Sequence, residues 1–138
     1  MSKSSGQGAA KQISLIRTIE QGQTFHRKGQ FADAERHYRM ALAQDPSNAG
    51  VLRLMGVLAH EAGRNDRAIE MLQRALEADS DYSTAHRNLG HVFALEGRNV
   101  DALHHYSEAA RLDTTDINAL IETARLRSDV FGNYEAAL

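Results

Sequence analysis

A chain of 138 residues, 42% hydrophobic, is long enough to bury one core, and with a single proline, four Tyr, four Phe and no Trp it favours helix over sheet. Its 16 Lys and Arg against 18 Asp and Glu leave a formal charge of −2, which supplies no field to gather nucleic acid or an anionic membrane. The absence of cysteine removes disulfides, thiol nucleophiles and thiolate metal sites together, and fits a reducing compartment, the cytoplasm by default.

Residues 1–10 are rich in Ser and Gly with no apolar stretch behind Lys3, so they read as a disordered tail and not as an export signal. No later apolar run reaches the ~20 residues needed to cross a bilayer. From residue 11 to 138 the chain repeats itself every 34 residues: Gly22, Gly56 and Gly90; Gly29, Gly63 and Gly97; Ala34, Ala68 and Ala102; Ala41, Ala75 and Ala109. The units run about 15–48, 49–82 and 83–116, with an incomplete fourth over 117–138.

Each unit reads as two helices. The first runs to a turn at Gly29, Gly63 or Gly97, where glycine enters the left-handed region without steric cost. The second runs to Asp45, Asp79 or Asp113, and the polar links that follow offer N-cap oxygens. Glycine on the first helix and alanine on the second are expected to let the two backbones approach, with Phe25, Tyr38, Met55, Leu72, Leu89, Phe93 and Tyr106 interlocking beyond them. In the fourth unit a helix is expected from Ile117 to about Val130, then a turn at Gly132 and a second helix that begins at Tyr134. So short a beginning cannot pay the cost of nucleation, which suggests a fragment of a longer protein with a sticky C-terminal end open to self-association.

The pattern Leu89-Gly90, Phe93, Gly97, Ala102, Tyr106, Ala109 resembles the tetratricopeptide repeat. The resemblance implies an all-α, right-handed superhelical array of antiparallel helix pairs, a solenoid that acts as a protein-interaction scaffold. Thr18 and Gln21 depart from the large apolar residues of that pattern, while Ile13, Ile16 and Ile19 supply apolar surface at other phases, so the first helix resembles an end cap. A fainter resemblance, carried by Leu54 to His60 and Ala85 to Gly90, is to repeats that precede bacterial sulfotransferase or glycosyltransferase domains. It implies an alternative role as a non-catalytic N-terminal accessory region of such an enzyme.

No catalytic constellation is found. Gly56 and Gly90 sit inside helices, no phosphate-binding glycine pattern follows a strand, and no serine elbow is present. Among the seven histidines, His86 with His91 is spaced i, i+5, and His104 with His105 i, i+1; both diverge around a helix, leaving only inter-helix pairs such as His60 with His91. No metal, cofactor or catalytic residue is therefore expected.

The resemblance implies that the first helices line a concave face for extended segments of a partner protein or peptide. Counting from Leu15, Ala49, Ser83 and Ile117, the second, fifth, ninth and twelfth places give Ile16, Ile19, Gln23 and His26, then Gly50, Arg53, Val57 and His60. They continue with Thr84, Arg87, His91 and Ala94, then Asn118, Ile121, Arg125 and Ser128. Arg53, Arg87 and Arg125 form a basic ladder amid apolar Ile19, Val57 and Ile121, suited to an acidic segment because guanidinium pairs with carboxylate. The plainer alternative is that these arginines are solvated or paired with Glu20 and Glu61. The Lys and Asn clamp of chaperone-binding members is not matched, since Ile19, Gln23, Leu54, Thr84 and Asn88 stand in its places. Asn88 alone fits the asparagine ladder of glycosyltransferase-associated arrays.

Overall fold

The computed structural model describes the backbone of residues 2–137 and the side chains of residues 6–132. Within them the chain forms seven helices and no strand: α1 Ser2–Arg27, α2 Phe31–Gln44, α3 Ala49–Glu61, α4 Asn65–Ala78, α5 Ser83–Leu95, α6 Asn99–Leu112 and α7 Ile117–Ala137. Three pairs, α1/α2, α3/α4 and α5/α6, stack in chain order, and α7 packs on α6. None of the described helices is long and apolar enough to cross a membrane.

The turn inside each pair has one chemical cause. Gly29, Gly63 and Gly97 take φ of 75°, 78° and 75°. In the second unit this lets Arg64 N–H donate to the Ala59 carbonyl at 2.8 Å and Gly63 N–H to the His60 carbonyl at 3.0 Å, the two bonds of a Schellman cap. The same two bonds close the other turns. The links use their side chains differently from one another. Asn48 and Asp116 cap α3 and α7 by accepting from Val51 N–H and Ala119 N–H, both at 3.0 Å, whereas Asp79 and Asp113 accept from the backbone two residues ahead and shape the bend.

Inside a pair, the glycine of the first helix makes room chiefly for a large side chain of the second, with the opposing backbone also close at Gly56, where the Ala68 carbonyl would lie 3.3 Å from a Cβ. A Cβ on Gly22 would lie 2.6 Å from the Tyr38 ring, one on Gly56 2.6 Å from Leu72 Cγ, and one on Gly90 2.8 Å from the Tyr106 ring. The alanines Ala34, Ala41, Ala68, Ala75, Ala102 and Ala109 are fully buried, so the second helix does offer its backbone closely at those places. Two apolar clusters result. One joins Leu15, Tyr38, Val51, Leu52, Met55 and Met71; the other joins Leu72, Leu89, Phe93, Tyr106, Ala119 and Leu126.

The two ends differ from the sequence reading. Residues 2–10, expected as a disordered tail, continue α1, because Ala9, Ala10, Lys11 and Gln12 favour helix and no proline interrupts them. This extension touches little: residues 6–14 are exposed throughout. Thr18 is buried and turns its hydroxyl to the Ser14 carbonyl at 2.9 Å, while of the apolar phase expected to cap the array Ile13 and Ile16 stay exposed and Ile19 packs against the core. At the other end the turn expected at Gly132 is not made. Gly132 lacks the positive φ of the three turn glycines, and α7 continues through Tyr134. Leu126 is buried, whereas Ile117, Leu120, Ile121 and Phe131 are exposed along the side of α7 away from α6.

Candidate peptide groove

The first helices of successive units lie side by side, α3 touching α5, and carry the residues singled out as groove candidates. The 3.6-residue period brings every third or fourth position of each helix to this face. What those side chains do there depends on their neighbours from the next unit.

Arg53 reaches across the junction of the second and third units. Its Nε–H donates to Tyr82 Oη at 2.7 Å, one Nη donates to Asn88 Oδ1 at 3.3 Å, and the guanidinium lies 5.8 Å from the Tyr82 ring centroid. Arg87 meets Asp116 at 3.4 Å, where the carboxylate is only 9% exposed and the arginine 38%. Arg125 stays on its own helix, held by Glu122 at 2.6 Å and Asp129 at 3.1 Å. The three arginines thus have separate partners, and none is Glu20 or Glu61. Two are matched by carboxylates. Among the described residues Arg53 has only neutral partners, so its charge is the uncompensated one of the three.

Histidines tie the units on the same face. His26 places Nε2 2.5 Å from Glu61 and Nδ1 3.1 Å from Tyr38 Oη. This carboxylate, imidazole and hydroxyl have the sequence of groups found in catalytic relays, but Tyr38 is fully buried and its burial pushes the pKa up to about 12. A hydroxyl that neither ionises nor meets solvent is no nucleophile, and the trio acts as a brace between first and second units. His60 donates Nδ1–H to Asn65 Oδ1 at 2.9 Å, and its ring meets His91 edge to face at 5.3 Å. Burial, then the charge of His60, holds the His91 pKa below the ordinary imidazole value. No group of three or more His, Asp or Glu side chains among the described residues is placed to hold a metal.

Ile19, Gln23 and Val57 are half-buried and form the floor beside these polar groups, while Ile121 is exposed on α7. Of the sequence-derived candidates, the structure joins Arg53 with Asn88 and His60 with His91, and leaves Arg87 and Arg125 with their own acids. Tyr82, Glu61, Asp116 and Glu122 were not among those candidates. Tyr82 and Asp116 sit in links, where the 34-residue count assigns no groove position; an aromatic ring in an otherwise polar link was the one available signal.

The family model of the tetratricopeptide repeat matches residues 25–90. The repeats within those residues are tetratricopeptide repeats. Solved structures agree on the architecture. The first such domain of Spaghetti (RPAP3), bound to the HSP90 peptide SRMEEVD, superposes with a TM-score of 0.78 at 16% identity, over 84% of this chain and 92% of that one. MamA gives 0.77 at 21% identity, over 86% of this chain and 68% of its own. The second domain of human RPAP3, in complex with the HSP70 peptide SGPTIEEVD, gives 0.76 at 19% identity, over 85% and 98%. At such identities the likeness is one of fold.

Proposed function

We propose that this tetratricopeptide array binds an extended segment of a partner protein along the face of α1, α3, α5 and α7, and that Arg53 selects for a carboxylate in that segment. The observation that carries the reading is the bracing of Arg53 by Tyr82 and Asn88. Two neutral acceptors fix the guanidinium without neutralising it, so the ordering cost is met before a ligand arrives and donors remain for a carboxylate. Arg87 and Arg125, already matched by Asp116, Glu122 and Asp129, contribute shape more than charge.

Support for a peptide ligand also comes from two structural neighbours whose complexes hold acidic peptides. Their ligands are not carried over, since the residues of this chain at the clamp positions are Ile19, Gln23, Leu54, Thr84 and Asn88. The half-buried Ile19 and Val57 add an apolar floor, which favours a segment that mixes acidic and aliphatic residues.

The test is retention of acidic and basic peptide pools by the native chain and by Arg53→Gln, Arg87→Gln and Arg125→Gln variants. Acidic peptides should be preferred, and Arg53→Gln should lose most of that preference while the other two keep it. Equal retention of the pools, or an equal effect of all three substitutions, would refute the role given to Arg53.

A further inference from the structure

At the turn edge of the array lies an apolar cleft that none of the groove candidates lines. Phe31, Ala32 and Glu35 of α2 form one wall, Ala59 of α3 lies in the floor, and Arg64 and Arg67 stand at the rim, enclosing about 160 Å³. The repeat explains why it is open. Ala59 occupies the place of Phe25 in the first unit and Phe93 in the third, and Glu35 the place of Ile69 in the second and Leu103 in the third.

The third unit shows what fills such a place. Phe93 is buried, and the Arg98 guanidinium lies over its ring at 4.4 Å from the centroid. Arg64 is the counterpart of Arg98, 34 residues earlier. The second unit therefore keeps the cation and lacks the ring. The rim is also short of negative charge: Glu35 is held by Arg39 at 2.9 Å, Arg67 meets Glu70 at 3.4 Å in solvent, and Arg64 makes no ion pair among the described residues.

We propose that this cleft is a docking site for one aromatic side chain of a partner protein, with a carboxylate next to that ring in the partner sequence. The ring takes the place that Phe93 holds in the third unit and lies beneath Arg64, where a cation over an aromatic face is attractive. The neighbouring carboxylate faces Arg64 and Arg67. Size sets the limit on the occupant, because an apolar cavity of about 150 Å³ accepts a benzene ring, whereas drug-sized ligands need about 300 Å³ or more. The site is separate from the groove and does not depend on the reading given to Arg53.

Amide NMR of the full chain tests it with the capped peptide acetyl-Ser-Phe-Glu-Ser-amide and two relatives, one with Lys for Glu and one with Ala for Phe. The first should give saturable shifts at Ala32, Ala59 and Arg64, the lysine peptide should bind about fivefold more weakly, and the alanine peptide should not saturate. Ala59→Phe supplies the ring from within and should abolish the shifts; Arg64→Glu should reverse the order of the glutamate and lysine peptides. Shifts confined to groove residues such as Arg53 and His91, an equal response to the alanine peptide, or binding retained by a folded Ala59→Phe variant would each overturn the proposal. Should Ala59→Phe not fold, Arg64→Glu decides on its own: an unchanged order of the two peptides overturns it.

Discussion

Lowering the pH from 7 to 5 should destabilise the third unit through a pair of histidines between its helices, His86 buried and His105 half-buried. His86 Nε2 lies 3.2 Å from the Ser80 carbonyl and must donate to it, which leaves His86 Nδ1 as an acceptor. His105 Nδ1, 3.1 Å away, fills that role as donor. His105 is neutral in this arrangement, and a further proton on it would place a charge against the Phe93 ring, which stacks on it at 5.5 Å. Burial, then His104 and His86, holds His105 down at about 4, against a weaker opposing pull from Asp101 and Glu108.

The sign follows from where the proton binds. Between 6.5, the value in the open chain, and about 4 the unfolded state takes up the proton and the folded state does not. Stability is therefore full above that window and falls as pH drops through it. At pH 5 the loss is about 2 kcal/mol, less to the extent that water reaches the ring edge. The second unit supplies the control, since Leu52 and Met71 occupy the places of His86 and His105 and both are buried. Urea unfolding at the two pH values should show the native chain weakened at pH 5, and the double variant His86→Leu, His105→Met much less sensitive, with a remainder from His91. A double variant as pH-sensitive as the native chain would refute the reasoning.

Gly56→Ala should lower stability by ~1–3 kcal/mol, because the new Cβ meets Leu72 Cγ at 2.6 Å and the Ala68 carbonyl at 3.3 Å; an unchanged thermal midpoint would show that α3 and α4 can move apart freely. Gly63→Ala should cost ~1–2 kcal/mol for a different reason, since nothing lies within 4 Å and only the φ of 78° resists a side chain. Gly63→Asn should therefore be milder than Gly63→Ala, whereas Gly56→Asn should be worse than Gly56→Ala, and a common ranking at both sites would contradict the two causes. Hydrogen exchange should be slowest in α3 to α6, which are packed on both sides, and fast over residues 6–14 of α1, which are exposed throughout.

The helix pairs and turns were legible because a 34-residue period constrains what every unit must share. A left-handed turn residue and a gap for the facing side chain recur as Gly63 and Gly56 recur, whatever surrounds them. The ends were harder. Gly132 resembles a turn glycine in sequence, yet a turn there gains little unless a following helix finds a partner, and α7 instead keeps its backbone hydrogen bonds through Ala137. The N-terminal extension misled for another reason, since Ser4, Ser5, Gly6 and Gly8 are weak helix formers and are carried as a continuation of the helix that Leu15 and Thr18 anchor in the core.

The groove was legible as a face and not as a set of contacts, and the reason is general to stacked repeats. A residue that recurs in each unit is used by packing within that unit, as Ala68 and Ala102 are, and so cannot distinguish one ligand from another. Recognition has to come from places where units differ, and those side chains meet residues from the neighbouring unit or link, at sequence distances the period does not report. Arg53 finds Tyr82 and Asn88, Arg87 finds the cap of α7, and Arg125 finds only its own helix, although all three were assigned to one ladder. The same logic locates the cleft beside Ala59, where the second unit omits a ring but retains its cation, and the histidine pair of the third unit, where the second has Leu52 and Met71. In an array of this kind the period identifies the scaffold, and the departures from it mark where partners and protons are able to act.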